Sequence, residues 1–270
     1  MFTKVASESL FKSEPNPSWF GNGPNERKET WSNENWLLSR FHFSFAEYND
    51  PKRSSYGVLR VMNDDLVQPQ RGFGEHPHRD MEIVTYIVRG ELTHQDSMGT
   101  RETLGPGSVQ FMTAGTGVRH QEHNLSEKSD LRFIQMWLLP NRQGLPPNYG
   151  SMRGAVEQRQ NKWFHMVSSV NNSEVETPVK INTDANMYVA EIQKGGGLEL
   201  PIQAGRMAYT LCISGQVDIT GAHGTSEQLE QHDAAQLPGP NKELRFAAQT
   251  DAHVLVVEMG AAGRGGIFGR

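Results

Sequence analysis

Two short segments of the sequence carry residues at a spacing that could bind a metal ion. His76 and His78 are two residues apart in GFGEHPHRDMEIVTYIVRG, and His120 and Glu122 are two apart in GTGVRHQEHN. Side chains alternate across a β-strand, so residues at i and i+2 point to the same side. Three imidazoles and one carboxylate suit Fe(II), Mn(II), Ni(II), Cu(II) or Zn(II), and they leave positions open on a six-coordinate ion. The spacing therefore predicts a transition-metal site, with polar barrel lining or surface histidines as the alternative.

Other groups compete for a place in this site. Asp80 and Glu82 are in phase with His78 if the strand is unbroken, so Glu82 is an alternative to Glu122 as the acidic ligand. His94 and Asp96 are another pair two residues apart, across the turn at Gly90, whereas His123 lies beside the candidate site but on the opposite parity.

The elements that position these residues are predicted to be β-strands. Short apolar or alternating runs such as MEIVTYIVRG, SVQFMTAG and LRFIQMWLLP recur along the chain, separated by Gly, Pro, Asn and Asp. FHFSFAEYN alternates Phe41, Phe43 and Phe45 on one face and is expected to be a strand. Many short strands with frequent turns are typical of a sandwich or barrel. We therefore predict an all-β fold.

The second half of the chain repeats the first. A shift of 125 residues lays VRGELTHQDSMGTRETLGPGSV over ISGQVDITGAHGTSEQLEQHDA, with Gly90 on Gly215 and Leu92 on Val217. Two hairpins of similar size could share turn glycines by coincidence, but the match favours two similar β-domains in tandem. On this shift the four candidate ligands fall on residues with weak or no ligand capacity, so metal is expected in the first domain only. These residues are Pro201, Gln203, Arg245 and Ala247.

Composition changes predict five segments. They are an N-terminal extension (1–35), an N-terminal barrel with the metal site (36–140), a linker (141–160), a C-terminal barrel without metal (161–260) and a Gly-rich tail (261–270). The extension is expected to pack on a neighbouring domain through Trp19, Phe20 or Trp31.

Charge and composition restrict the partners. The 270 residues have a net charge of −5 and no long basic segment, which argues against direct binding of nucleic acid. The sequence contains no run of about 18 apolar residues, so no membrane span is predicted. The N-terminal segment does not have the apolar centre of a signal peptide. The single cysteine, Cys212, excludes an internal disulfide framework. We expect a cytoplasmic protein, or a nuclear one in a eukaryote, without a membrane partner.

Two motifs together resemble the pirin family of the cupin superfamily. HPHRDMEIVTYIVRGELTHQDSMG is followed by MTAGTGVRHQEHN, and the upstream FHFSFAEYNDP and VMNDDLVQPQRGFGEHPH extend the resemblance over residues 36–140. The resemblance implies a bicupin, with two antiparallel jelly-roll β-barrels in tandem and metal only in the N-terminal barrel. It also implies one Fe(II) ion per chain, with other divalent metals as alternatives, held by His76, His78, His120 and Glu122.

The activity implied by the resemblance is divided. Some family members resemble flavonol 2,4-dioxygenases acting on quercetin, whereas others resemble iron-dependent nuclear coregulators. We expect a quercetin 2,3-dioxygenase-like oxidoreductase that uses a flavonol and O2, with Glu122 as the catalytic base. Phe41, Phe43, Phe45 and Phe73 are candidate pocket walls or core residues. The alternative is a redox-responsive iron-binding regulator that acts through protein partners; a metal-dependent isomerase or storage cupin has no specific residue in its favour.

Overall fold

The structure is a computed structural model that describes residues 2–22, 36–221, 224–239 and 243–260. These residues form β-strands and short 3-10 helices, with no α-helix among them. No helix within these ranges has the length and apolar character needed to cross a membrane. The chain divides into two compact units, so the prediction of an all-β fold with two tandem domains is confirmed.

The N-terminal unit comprises Phe11–Ser55 and Leu59–Gly154. Strands are numbered along the whole chain, and those of this unit are β2 (Phe11–Ser13), β3 (Leu37–Phe41), β4 (Leu59–Val67), β5 (Arg71–His78), β6 (Glu82–Arg89), β7 (Leu92–Asp96), β8 (Arg101–Leu104), β9 (Val109–Thr113), β10 (Val118–Asn124), β11 (Leu131–Leu138) and β12 (Asn148–Met152). They form a seven-stranded sheet in the order β12-β9-β6-β11-β4-β3-β2 and a four-stranded sheet in the order β5-β10-β7-β8.

The C-terminal unit comprises the residues up to Leu10, Tyr56–Val58 and the chain from Ala155 onward. Its strands are β1 (Thr3–Val5), β13 (Phe164–Ser169), β14 (Val179–Ile181), β15 (Ala185–Ile192), β16 (Gly197–Pro201), β17 (Arg206–Ser214), β18 (Gln216–Thr220), β19 (Ser226–Glu230), β20 (Ala234–Leu237), β21 (Glu243–Ala248) and β22 (Ala252–Gly260). The sheets have the orders β1-β20-β17-β22-β15-β13-β14 and β16-β21-β18-β19. Cys212 is fully buried in the apolar core of this unit and packs there as a small hydrophobic side chain.

Parts of the predicted extension and linker form regular structure. β1 pairs with β20, and β2 pairs with β3. Within the predicted linker, β12 pairs with β9 and Val156–Gln158 forms a 3-10 helix. Such short segments are held by main-chain hydrogen bonds, which hydrophobic periodicity does not reveal. Trp31 and the Gly-rich tail lie outside the described residues, and the five segment limits stay predictions.

The predicted strand FHFSFAEYN is only partly a strand. β3 ends at Phe41, and the following residues form turns with an isolated bridge between Phe45 and Tyr48. The ring of Phe45 packs edge-on against Phe41 at a centroid distance of 5.3 Å and against Trp137 at 5.1 Å. The alternating phenylalanines therefore do not belong to one continuous strand. Phe41 ends β3, and Phe45 lies in the following turns with its ring packed back against Phe41.

The strand registers correct the repeat alignment around the candidate ligands. His76 pairs with His120 across β5 and β10, whereas Leu200 pairs with Leu244 across β16 and β21, which occupy the same positions in the sheet order. The correspondence is thus 124 residues, one fewer than in the adjoining hairpin. The physical reason is burial, because Leu200 is buried while its neighbour Pro201 is exposed.

The corrected counterparts of the four ligands are apolar and belong to one hydrophobic core. They are Leu200, Ile202, Leu244 and Phe246. None of these side chains can ligate a metal ion, so the correction strengthens the expectation that only the N-terminal unit holds metal.

Candidate metal centre

Three histidine rings of the N-terminal unit point their Nε2 atoms at one another. β5 and β10 pair antiparallel with His76 opposite His120, and His78 follows two residues after His76 on the same face. The Nε2 atom of His120 lies 2.9 Å from that of His78 and 3.1 Å from that of His76. The structure therefore brings together the three histidines proposed as ligands from the sequence.

The spacing of these nitrogen atoms fits a metal ion. Metal–nitrogen bonds of about 2.1 Å with ligand angles near 90° place neighbouring nitrogens about 3.0 Å apart. The same bonds at a tetrahedral angle would separate them by about 3.4 Å. The observed 2.9 and 3.1 Å are close to the separation expected at 90°, so His76, His78 and His120 would be suited to hold a transition-metal ion together.

His76 is held with its Nε2 lone pair facing Nε2 of His120. Its Nδ1 atom lies 2.7 Å from the carbonyl oxygen of Gly74, which can only accept, so Nδ1 carries the proton. The pairing of β5 with β10 shifts register between His120 and Glu122, a β-bulge that includes Gly74. A Cβ atom at Gly74 would lie 2.6 Å from the carbonyl oxygen of Phe20, so a glycine is needed at this close approach.

His120 is oriented through a chain of two further groups. The Nε2 atom of His94 lies 2.9 Å from Oδ2 of Asp96, so this nitrogen carries the proton. Nδ1 of His94 can then accept from Nδ1 of His120, 3.5 Å away. The backbone N–H groups of Met98 and Thr100 donate to Oδ1 of Asp96 over 2.9 and 3.1 Å. Because Nδ1 of His120 carries the proton in this series of hydrogen bonds, Nε2 of His120 keeps a lone pair, and this atom faces the other two rings.

Glu122 is held by two amide donors from the seven-stranded sheet. Gln110 donates to its Oε1 over 2.8 Å, and Gln135 donates to its Oε2 over 2.7 Å. The carbonyl oxygen of Gln135 accepts in turn from the indole N–H of Trp137 at 3.1 Å. That of Gln110 lies 3.2 Å from the hydroxyl of Tyr149, whose one proton it shares with Oε2 of Glu102 at 3.1 Å. The network fixes which end of each amide faces the carboxylate.

Glu122 adjoins the three histidines through His120. The described residues contain two groups whose ligand atoms all lie within 4.8 Å of one another, namely His76, His78 and His120, and His94, His120 and Glu122. His120 belongs to both groups, so it connects Glu122 to the three histidines.

The competing acidic residue Glu82 lies apart from both groups. β5 ends at His78, and Asp80 has a φ of +50°, so the strand phase does not continue to Glu82. The carboxylate of Glu82 is buried and accepts from the hydroxyl of Thr113 over 3.1 Å. His123 takes the opposite parity on β10, as its position in the sequence predicted.

Burial sets the protonation of the centre. It lowers the pKa of His78 to about 3, with a smaller contribution from His76. It also lowers the pKa of His120, and the three neighbouring imidazoles add to this effect. Burial raises the pKa of Glu122, although the facing imidazoles and amide donors oppose it. His78 and His120 are therefore neutral at pH 7, the form in which imidazole binds metal.

A cavity of about 370 Å³ opens beside the histidines. His76, His78 and Glu122 contribute to its wall. Six aromatic residues also line it, namely Trp19, Phe20, Phe41, Phe45, Phe73 and Trp137. Three of the four phenylalanines proposed from the sequence thus line the cavity, whereas Phe43 is buried and does not belong to the lining.

Sequence reasoning missed several polar residues of the site. Gln110 and Gln135 carry a signal in retrospect, because each is an amide on the inward face of an apolar strand. Asn63 and Asp65 likewise interrupt the apolar side of β4 and line the cavity. Their partners come from distant strands, which a single sequence does not identify.

Known proteins similar to this chain include enzymes and pirins. The profile described as Pirin matches residues 25–138, and the profile described as Quercetinase C-terminal cupin domain matches residues 159–259. A protein of Escherichia coli K12 named quercetin 2,3-dioxygenase is 35% identical over 230 residues, which cover 84% of this chain and 94% of that protein. A pirin-like protein of Caulobacter vibrioides is 34% identical over 223 residues, covering 83% and 92%.

A solved structure with a similar fold contains a metal ion. The crystal structure of the bacterial pirin YhhW from Escherichia coli in complex with nickel(II) superposes with a TM-score of 0.79 at 29% identity, covering 96% of this chain and 99% of that chain. With two family profiles matched in tandem and relatives of this identity aligned over most of its length, the chain belongs to the pirin family.

Proposed function

We propose that this protein is a metal-dependent dioxygenase that cleaves a flavonol such as quercetin with O2. The observation that carries the proposal is that His76, His78 and Glu122 share one cavity wall with a set of aromatic rings. Ligand sites are mostly apolar with a few convergent polar groups, and about 300–1,000 Å³ is their usual volume. A flat aromatic substrate could therefore lie in this cavity with one oxygen atom at the histidines.

The proposed ligands are His76, His78, His120 and Glu122, and the proposed metal is Fe(II). When bound, the ion would act as a Lewis acid on a substrate oxygen and would supply the redox chemistry for the reaction with O2. The identity of the metal is part of the proposal, and similarity to a nickel(II) complex is the reason to test Ni(II) beside Fe(II).

Glu122 is the residue proposed to move a proton. Burial raises the pKa of Glu122 in the metal-free protein, and Glu122 would act as a general base only when its carboxylate is released from the ion. It would accept the proton of the flavonol 3-hydroxyl while Gln110 and Gln135 hold its orientation. In the overall reaction both atoms of O2 enter the product, the heterocycle opens to a depside and one carbon leaves as carbon monoxide.

The aromatic rings beside the histidines are proposed to position the substrate. The ring of Trp137 meets His78 edge-on at a centroid distance of 4.8 Å, and Phe20 meets His76 at 6.5 Å. Edge-on packing keeps these rings stationary while their faces remain available to a ligand. They also exclude water from the bound flavonol.

The test uses Fe(II)-loaded protein and quercetin, first under nitrogen and then with O2. We expect quercetin to shift the absorption spectrum without oxygen, and admission of O2 to consume quercetin and release carbon monoxide. His76→Ala should show neither effect, whereas His123→Ala, a change on the opposite face of β10, should show both. If loaded wild-type protein leaves quercetin intact, the dioxygenase proposal fails, and the alternative of a redox-responsive regulator becomes the reading to test with protein partners.

A further inference from the structure

The wall of the cavity includes a polar patch in which only Gln135 also serves the metal centre, through its hydrogen bond to Glu122. Asn63 and Asp65 are two residues apart on β4, so their side chains share a face. The strand registers place Ser39 opposite Asp65 and Gln135 opposite Asn63. All four residues line the cavity, among side chains that are otherwise mostly apolar.

Two groups of this patch are buried, and one of them has an unused hydrogen-bonding atom. Asn63 and Asp65 are each 3% exposed. The Oδ1 atom of Asn63 has no hydrogen-bond partner in the described structure. An unpaired buried polar atom costs about 1–3 kcal/mol, so a site that retains one is suited to a ligand that pairs with it.

Asp65 complements Asn63 as a donor. Burial raises the pKa of Asp65 to about 8, the nearby Ser39 hydroxyl partly offsets this, and the charges of Asp64 and Glu122 add to it. Its carboxyl is therefore neutral at pH 7 and carries an O–H group. The patch thus offers an acceptor on Asn63 and both a donor and an acceptor on Asp65.

We propose that Asn63 and Asp65 form a second anchoring point of the cavity, which binds hydroxyl groups of the aromatic ligand other than the one at the metal. This inference rests on the proposed function, and it names a property of the substrate, namely a polyhydroxylated rather than a purely apolar aromatic compound. A ligand with no hydroxyl at this point would leave Asn63 Oδ1 unpaired and give the buried Asp65 carboxyl no further partner, so selectivity follows from the same atoms.

Two probes separate this anchoring point from the metal centre. Quercetin and 3-hydroxyflavone share the 3-hydroxyl and the neighbouring carbonyl, but 3-hydroxyflavone has no other hydroxyl. Their dissociation constants for Fe(II)-loaded protein are measured by calorimetry under nitrogen, so that no turnover occurs. We expect wild-type protein to prefer quercetin by about tenfold or more, the size of one or two buried hydrogen bonds.

Variants of the patch should remove this preference without weakening 3-hydroxyflavone. Asp65→Leu and Asn63→Leu should each lower the ratio towards one, whereas Asp65→Asn, which keeps a donor and an acceptor, should retain most of it. The matched control is Asp130→Asn, which removes a carboxylate outside the cavity lining, where Asp130 lies 3.7 Å from Arg89. Melting curves establish that each variant is folded.

The outcomes distinguish this inference from the proposed function. A wild-type preference that survives in both leucine variants, or no preference in wild type, would overturn the anchoring role even if quercetin is consumed. Selective binding that depends on Asn63 and Asp65, together with no consumption of quercetin under O2, would support the anchoring role and defeat the dioxygenase proposal.

Discussion

The Nε2 atoms of His78 and His120 lie 2.9 Å apart across the end of β5 and the beginning of β10. Burial lowers the pKa of both rings, so protons compete weakly for these nitrogens at pH 7. In the metal-free protein this contact is a hydrogen bond if Nε2 of His78 carries the proton, because Nε2 of His120 keeps its lone pair. With the proton of His78 on Nδ1, both Nε2 atoms present lone pairs to a metal ion.

We expect Fe(II) or Ni(II) to raise the melting temperature of the metal-free protein. An ion that binds only the folded state at 100 times its Kd adds about 2.7 kcal/mol to the free energy of unfolding. His78→Ala should abolish most of this increase, because it removes one of the three converging nitrogens. His123→Ala should preserve it, and an equal metal-induced shift in His78→Ala would contradict the assignment of the trio.

The assignment of the acidic ligand predicts a difference between Glu122 and Glu82. Glu122→Gln keeps the shape of the side chain but removes its charge, so metal affinity should fall and flavonol consumption should stop. Glu82→Gln should change metal affinity little, because Glu82 accepts from Thr113 and lies outside both ligand groups. Competition with a coloured chelator measures both affinities, and the reverse order would make Glu82 the ligand.

Asp96 is predicted to act on the metal through His94 and His120. Asp96→Asn retains the size of the side chain but removes the charge that fixes the proton on Nε2 of His94. Loss of such an outer partner typically lowers metal affinity by about 10–100-fold. A merely structural role would lower the melting temperature of the metal-free protein and leave its metal affinity unchanged, so both quantities are measured on the same preparation.

The sequence predicted the parts of this centre that depend on strand period. His76, His78 and His120 converge as i, i+2 spacing requires, and the short alternating runs became strands of the predicted all-β fold. The one-residue change in repeat offset could not be read from letters alone, because it depends on which of Leu200 and Pro201 is buried in the core. The donors to Glu122 also escaped prediction, since the contact joins strands of different sheets.

The raised pKa of Asp65 predicts a pH dependence of stability. Between the ordinary carboxyl pKa of 3.8 and about 8, the folded state holds a proton that the unfolded state has lost. The free energy of unfolding therefore decreases as pH rises through this window, by up to about 1.4 kcal/mol per pH unit. Urea unfolding of metal-free protein at several pH values should show a smaller decrease in Asp65→Asn. Parallel pH profiles for the two proteins would show that Asp65 does not hold the proton.

The apolar counterparts of the ligands predict a single metal ion per chain. Leu200, Leu244 and Phe246 lie buried where the N-terminal unit has His76, His120 and Glu122. Their side chains offer no lone pair, and a desolvated divalent ion beside them would be strongly unfavourable. Metal analysis of loaded protein should approach one transition ion per chain.

The same stoichiometry can be tested with a variant. Loaded His76→Ala,His120→Ala protein should fall towards zero ions, because only His78 of the trio remains. The unchanged core of the C-terminal unit should keep that unit folded, which the far-ultraviolet circular dichroism spectrum checks. A reproducible ion retained in this double variant would place a metal site elsewhere in the chain, and it would contradict the register correspondence between β5–β10 and β16–β21.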